Sequence, residues 1–230
     1  IVSLGKGVGS GHYGRTIKLI NRLKEKKSKI LFILNKKEKF KKLDNNFKFD
    51  FENFKNEGSV LKKILDFDPD LIILDSYILS YSLNKKIYKI NENIISIDDN
   101  LNKRHICKYY INYNFIDKNL KEKIFQKVYS KKKFIGPKYF FSSNLNLIGK
   151  KFKRGQVLIF LGSTNENKIL EKVLSIFNNK KFNKLNFKII LGSYCKVNIK
   201  SLKIKNFKIY KTLPQKKYLN ILSNSEFFIT

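Results

Sequence analysis

Short apolar runs alternate along this chain with stretches whose apolar residues return every three or four positions. The runs predict strands at 29–34, 71–75, 94–98, 109–112, 157–161, 187–191, 207–210 and 227–230. Helical faces are formed by Ile17, Ile20 and Leu23, by Val60, Leu61, Ile64 and Leu65, and by Ile169, Leu170, Val173, Ile176 and Phe177. Strands that alternate with helices in this way argue for βαβ units and a largely parallel sheet. The rhythm breaks once, over the irregular and basic stretch 140–156, and a fresh strand with a Gly-Ser-Thr-Asn turn follows it. Two α/β domains are therefore expected, over 1–140 and 156–230, joined by a linker at 141–155.

Composition changes this picture less than its charge suggests. The 230 residues carry 49 Lys and Arg against 18 Asp and Glu, a net charge of +31, and are 42% hydrophobic. That apolar share is enough for a real core and excludes intrinsic disorder. A basic excess commonly signals a nucleic acid or an anionic membrane. Here Arg15, Arg22, Arg104 and Arg154 are the only arginines, alanine is absent, and Lys, Asn, Ile and Phe abound. Those residues have A/T-rich codons, so a coding bias accounts for the balance without a polyanionic partner. The lysines are also spread almost evenly, whereas a binding face for single-stranded nucleic acid would gather them among aromatics. No nucleic-acid partner is expected, and runs such as Lys131 to Lys133 read as solvated loops.

No apolar run approaches the roughly 18 residues that span a bilayer, so no stable membrane insertion is expected. Cys107 and Cys195 lie far apart without metal or redox spacing, which suits a reducing cytoplasm. The first residues run directly into a glycine-rich turn rather than a signal peptide. The chain begins at Ile1 rather than Met, and 226–230 reads as a buried strand that feeds no helix, so the second domain is expected to be truncated.

The chemistry concentrates in Gly7-Val-Gly9-Ser-Gly11-His12-Tyr-Gly14-Arg15, which leads straight into a helix. Glycines admit a tight turn and close ligand approach, and a helix N-terminus offers free N–H groups to an anion. Three patterns compete for these residues. Gly9-x-Gly11-x-x-Gly14 matches the dinucleotide fingerprint, but the next strand ends in Leu34-Asn35-Lys36-Lys37 with no acid for the ribose. Gly9-x-x-x-x-Gly14-Arg15-Thr16 matches a phosphate-binding loop, except that arginine replaces the lysine which reaches the β- and γ-phosphates. The third is Gly9-x-Gly11-His12-x-x-Arg15.

This third pattern does not stand alone. Asp70-Leu-Ile-Ile-Leu-Asp75-Ser-Tyr77, Ile95-Ser-Ile-Asp98-Asp99, Ile111-Asn-Tyr-Asn114, Gly136-Pro-Lys-Tyr139 and the segment 157–165 follow in order. Together they resemble the UDP-2,4-diacetamido-2,4,6-trideoxy-β-L-altropyranose hydrolases of pseudaminic acid biosynthesis. That family is similar in fold to inverting glycosyltransferases, including the transferase that forms peptidoglycan lipid II. The resemblance implies two Rossmann-like domains of the GT-B glycosyltransferase type. It also implies cleavage of the anomeric C–O bond of a UDP-linked diacetamido sugar with inversion and release of UDP. This chain departs from the family at Ser3, which stands where an Asp is usual, and at Gly162-Ser163-Thr164-Asn165, which replaces Gly-Gly-Thr-Asp.

On this reading His12 is the catalytic general base. It sits at the mouth of a glycine turn on the first turn of a helix, whose dipole disfavours the imidazolium. Gly9, Gly11, Arg15, Asp75 and Tyr77 are substrate-binding candidates, and Gly162, Ser163 and Thr164 are candidates for holding the nucleotide diphosphate. Tyr77 either lines the sugar site, as the family implies, or caps a core edge. Asp98 and Asp99 are acid/base partners or a helix cap, and the cap is favoured. His105 reads as a surface histidine. No His, Cys or acid pair has metal-ligand spacing, so metal-independent chemistry without a cofactor is expected. The expected partner is a UDP-sugar; a glycosyltransferase with the same donor class and a hydroxyl acceptor is the alternative.

Overall fold

A computed structural model describes residues 1–3, 11–24, 29–35, 47–101, 103–140, 152–162, 167–177, 179–192, 206–211 and 213–230. The chain divides into two compact units, Ile1–Ser143 and Asn144–Thr230. Most of the expected linker, 141–151, lies outside the described residues.

In the first unit, α1 (Gly11–Lys24) leads to β1 (Leu31–Leu34), β2 (Lys48–Phe51), α2 (Glu57–Phe67), β3 (Ile72–Leu74), α3 (Tyr81–Ile90) and β4 (Ile94–Ile97). β5 (His105–Asn112), α4 (Lys118–Lys127) and β6 (Val128–Ile135) complete it. All strand pairs are parallel, in a β1-β2 ribbon and a β3-β4-β5-β6 sheet. The two are joined at Val2, which bridges Leu34 on one side and Asp75 on the other. Val2 N–H donates to Ile33 O at 3.0 Å, and Ser3 N–H to Asp75 O at 3.1 Å. The spatial order is therefore β2, β1, the 1–3 segment, β3, β4, β5, β6. Chain direction away from the centre reverses at the 1–3 segment, and crevices for ligands form at the carboxyl side of such switch points.

Alternation along β1 shows why its run is apolar throughout. Phe32 and Leu34 pack with Ile20 of α1, Val2 and Phe47 on one face, whereas Ile33 joins Val60 and Ile64 of α2 on the other. A strand covered on both faces has no position for a polar side chain. The larger core adds Leu74, Leu83, Ile87, Ile94, Tyr110 and Ile124, and each fully buried aliphatic side chain there contributes about 1.5–3 kcal/mol. The helices begin where short polar side chains satisfy their first N–H groups: Asn56 for α2, Ser80 for α3 and Asp117 for α4.

The second unit has the order β10-β7-β8-β9, again parallel. Its elements are β7 (Lys153–Ile159), α5 (Asn167–Ile176), β8 (Asn186–Ile190), β9 (Phe207–Tyr210), α6 (Gln215–Ser223) and β10 (Ser225–Ile229). Val157 and Ile159 face Leu170 and Leu174 of α5, and Leu158 faces Ile221 of α6. The chain crosses from β9 to β10 on the far side of β7, so a second switch point lies at the carboxyl end of β7.

Two expectations need correction. The 131–133 lysines lie not in a loop but within β6, the outer strand of its sheet, where lysine discourages pairing with a further strand. The closing strand forms, but Phe227 is 53% exposed, and among the described residues β10 is an outer strand paired with β7. No described helix is long and apolar enough to cross a membrane.

Candidate functional site

The first turns of α1 begin the site. His12, Arg15 and Thr16 stand at i, i+3 and i+4, which places them on one helical face. That face meets Asp75, the residue after β3 at the switch point. His12 is 3% exposed and Asp75 0%.

Asp75 accepts four donors. Its Oδ1 takes His12 Nδ1 and Arg15 Nη2. Its Oδ2 takes Arg15 Nε at 2.6 Å and Thr16 Oγ1 at 3.0 Å. A carboxylate has about four lone-pair sites, so both oxygens are saturated. Burial disfavours the charge on Asp75, but the bonds and charges of Arg15 and His12 outweigh it and hold the carboxyl below its usual range. Arg15 Nη2 also lies 2.8 Å from His12 Nδ1. Both are donors here and converge on Oδ1 rather than bonding each other. With the carboxylate as partner, Nδ1 carries a proton, and Nε2 is the ring nitrogen not engaged with Asp75.

Arg15 continues to Asp99, two residues beyond β4. Its Nη1 donates to Asp99 Oδ2 at 2.6 Å and contacts Tyr113 OH, and the guanidinium lies 5.5 Å from the centre of the Tyr113 ring. Asp99 also accepts from Tyr113 OH at 2.8 Å and from Tyr77 OH. Burial works against the Arg15 charge, yet Asp75 and Asp99 push its pKa further up. Burial likewise opposes ionisation of Asp99, but Tyr77 and Arg15 hold its pKa down. Both tyrosine hydroxyls are driven up, first by burial and then by Asp99, so they remain donors. The Tyr77 ring stands edge-on to the His12 ring, with centroids 4.1 Å apart.

The structure thus gathers His12, Arg15, Asp75 and Tyr77 from the sequence reading. It also changes two roles. Arg15 and Asp75 are expected at the substrate; they face one another, with both Asp75 oxygens committed and four of the five Arg15 N–H donors given to Asp75, Asp99 and Tyr113. Asp98 and Asp99 do not cap a helix. Adjacent residues at a strand end point to opposite sides, so Asp99 enters the site while Asp98 enters the core. There Asp98 Oδ2 accepts from His105 Nε2 at 3.1 Å and Tyr110 OH at 3.0 Å, and its Oδ1 from Asn100 N–H at 3.0 Å. Burial opposes its ionisation, but His105 and these donors bring its pKa down to about 2. His105 is correspondingly 5% exposed rather than on the surface.

Thr16, Asp99 and Tyr113 are the residues that sequence reasoning did not assign to the site. Thr16 could have been found from its spacing to His12. Asp99 and Tyr113 lie in quoted motifs, but only the parallel pairing of β4 with β5 brings them together.

Gly11 opens α1, and a Cβ there would meet nothing within 4 Å among the described atoms, so no neighbouring atom demands this glycine. In the second unit Gly162 follows β7 with φ +83°, a backbone conformation that favours glycine. Gly9, Ser163 and Thr164 lie outside the described residues. Among the described residues no three His, Cys, Asp or Glu side chains are grouped as metal ligands would be.

No protein-family model matches the chain, and no curated protein matches it either. Among solved structures it is similar to MurG of Acinetobacter baumannii, with a TM-score of 0.56 and 11% sequence identity over 96% of this chain and 70% of that one. The likeness is one of fold: two Rossmann-like domains of the GT-B type.

Proposed function

We propose that this protein is a glycosyltransferase-like enzyme that binds a nucleotide sugar and breaks its anomeric C–O bond, with His12 as general base. One observation carries the reading: an imidazole backed by a saturated carboxylate, at the start of a helix beside the switch point of a Rossmann-like unit. Asp75 fixes the His12 tautomer and stabilises the imidazolium that forms when Nε2 takes a proton. Nε2 removes that proton from the attacking hydroxyl as its oxygen bonds to the anomeric carbon, and the nucleoside diphosphate leaves from the opposite face with the bonding electron pair. Assistance of this kind is worth about 10²–10⁴-fold. Arg15 is a positioning residue that ties Asp75 to Asp99, and Tyr77 packs against the base. In the second unit the sequence Gly162-Ser163-Thr164 remains the candidate for binding the nucleotide diphosphate.

Transfer to a hydroxyl acceptor is favoured by the fold shared with MurG, a GT-B glycosyltransferase. Transfer to water, with a UDP-linked 2,4-diacetamido-2,4,6-trideoxy sugar as substrate, is supported by the ordered motifs from Gly9 to Asn165. The two are separated by incubating the full protein with that UDP-sugar, with and without candidate acceptors, and measuring UDP. UDP without acceptor identifies the hydrolase; UDP only with acceptor identifies the transferase. No UDP in either case, across UDP-linked amino sugars, overturns the proposal.

A further inference from the structure

Lysine is the commonest charge on this chain, and among the described residues most lysines are exposed, but Lys103 is turned inward. It lies four residues after Asp99, in the connection between β4 and β5. Its Nζ donates to the carbonyl oxygens of Ser76 and Leu79, the latter at 3.0 Å. Those two carbonyls bracket the turn that leaves β3, with Tyr77 and Ile78 between them. The same turn is closed from within by Leu79 N–H donating to Ser76 Oγ at 3.1 Å, and Ser76 Oγ also meets Ser3 Oγ. Leu79 anchors the far end in the core.

A buried ammonium is costly unless its protons are used. Lys103 has no ion-pair partner among the described residues, and burial pushes its pKa down to about 8 against the more distant charges of Asp98 and Asp75. A charged donor makes the stronger hydrogen bond, so an ammonium at this position holds both carbonyls more firmly than a neutral amine would. Leucine or methionine would fill such a place without that cost. The carbonyls it binds belong to the one turn that presents Tyr77 both to the His12 ring and to Asp99.

We infer that Lys103 is a positioning residue, which clamps the 76–79 turn so that Tyr77 stays edge-on to His12 and hydrogen-bonded to Asp99. The kinetic consequence rests on the reading of His12 as the base; the geometric consequence does not. The test uses the full protein with Lys103→Met and Lys103→Arg. His12 and His105 are the only histidines, so the imidazole resonances of His12 can be followed separately by NMR. Without the clamp the Tyr77 ring shifts, the His12 ring protons lose its ring-current contribution, and their resonances move. Lys103→Arg, which keeps the charged donors, restores them.

With a UDP-sugar that the wild type turns over, Lys103→Met lowers kcat on the order of 10²-fold at nearly unchanged KM, as a displaced catalytic group does. Lys103→Arg recovers most of that loss. If Lys103→Met does not fold, Lys103→Gln takes its place with the same readouts. Unmoved His12 resonances in a folded variant overturn the clamp, as does a rate loss no larger than the loss of folded protein. A wild type that releases no UDP rejects the reading of His12 instead, and the resonances still decide the clamp.

Discussion

Arg15 meets Asp75 side-on, with Nε donating to Oδ2 at 2.6 Å and Nη2 to Oδ1, so that one guanidinium occupies both oxygens of one carboxylate. Only a planar fork makes this contact, which distinguishes Arg15 from the many lysines around it.

Removing that fork leaves Asp75 buried with part of its charge uncompensated. Arg15→Ala is expected to destabilise the first unit by about 3–5 kcal/mol, and Arg15→Lys by less, because a point charge reaches only one oxygen at a time. Urea unfolding followed by circular dichroism measures both. Equal stability of Arg15→Lys and wild type would show that the fork is dispensable.

His12→Ala removes the proposed base but leaves Asp75 its three other donors. The variant is expected to stay folded and to lose about 10²–10⁴-fold in UDP release. Asp75→Asn is expected to lower the rate within the same range while weakening the hold on the tautomer. Undiminished turnover in either variant removes that residue from the mechanism.

The two histidines should show opposite tautomers in long-range ¹H–¹⁵N spectra. The proton is expected on Nδ1 of His12, which faces Asp75, and on Nε2 of His105, which faces Asp98. In Asp75→Asn the His12 pattern is expected to change while that of His105 stays. A His12 proton resident on Nε2 in the wild type would remove the acceptor the mechanism needs.

Asp98 sets an acid limit on stability. Its pKa is about 2 in the folded chain against an ordinary 3.8, so it favours the fold above about pH 4 and this contribution is lost as pH falls through 2. The shift corresponds to about 2 kcal/mol. Unfolding free energies of wild type and Asp98→Asn are therefore expected to differ most near neutrality and to converge between about pH 4 and pH 2. A constant difference across that window would assign the stabilisation to packing instead.

The alternation of strands and helices, and the restart beyond the irregular basic stretch, could be read directly because strand segments buried on both faces are apolar, as β1 is throughout and β7 is over Val157–Ile159. β2 and β6 escaped notice for the opposite reason: they are outer strands, and residues such as Lys131 and Lys132 interrupt their pattern. In the site, His12 and Arg15 were legible from their glycine-rich context and helical spacing. The inward turn of Asp98 and the outward turn of Asp99 were not, since two adjacent carboxylates look alike until the pairing of β4 with β5 decides which one meets a histidine and which an arginine.

The saturation of Asp75 has a consequence for how such a site can diversify. With all its lone pairs committed inside the protein, Asp75 has nothing left with which to recognise a substrate; on the proposed reading of His12 as the base, the group that readies the base is then indifferent to what it deprotonates. The same proposal predicts that exchanging water for an alcohol acceptor needs changes only in the residues around His12 and leaves the Asp75 cluster as it is.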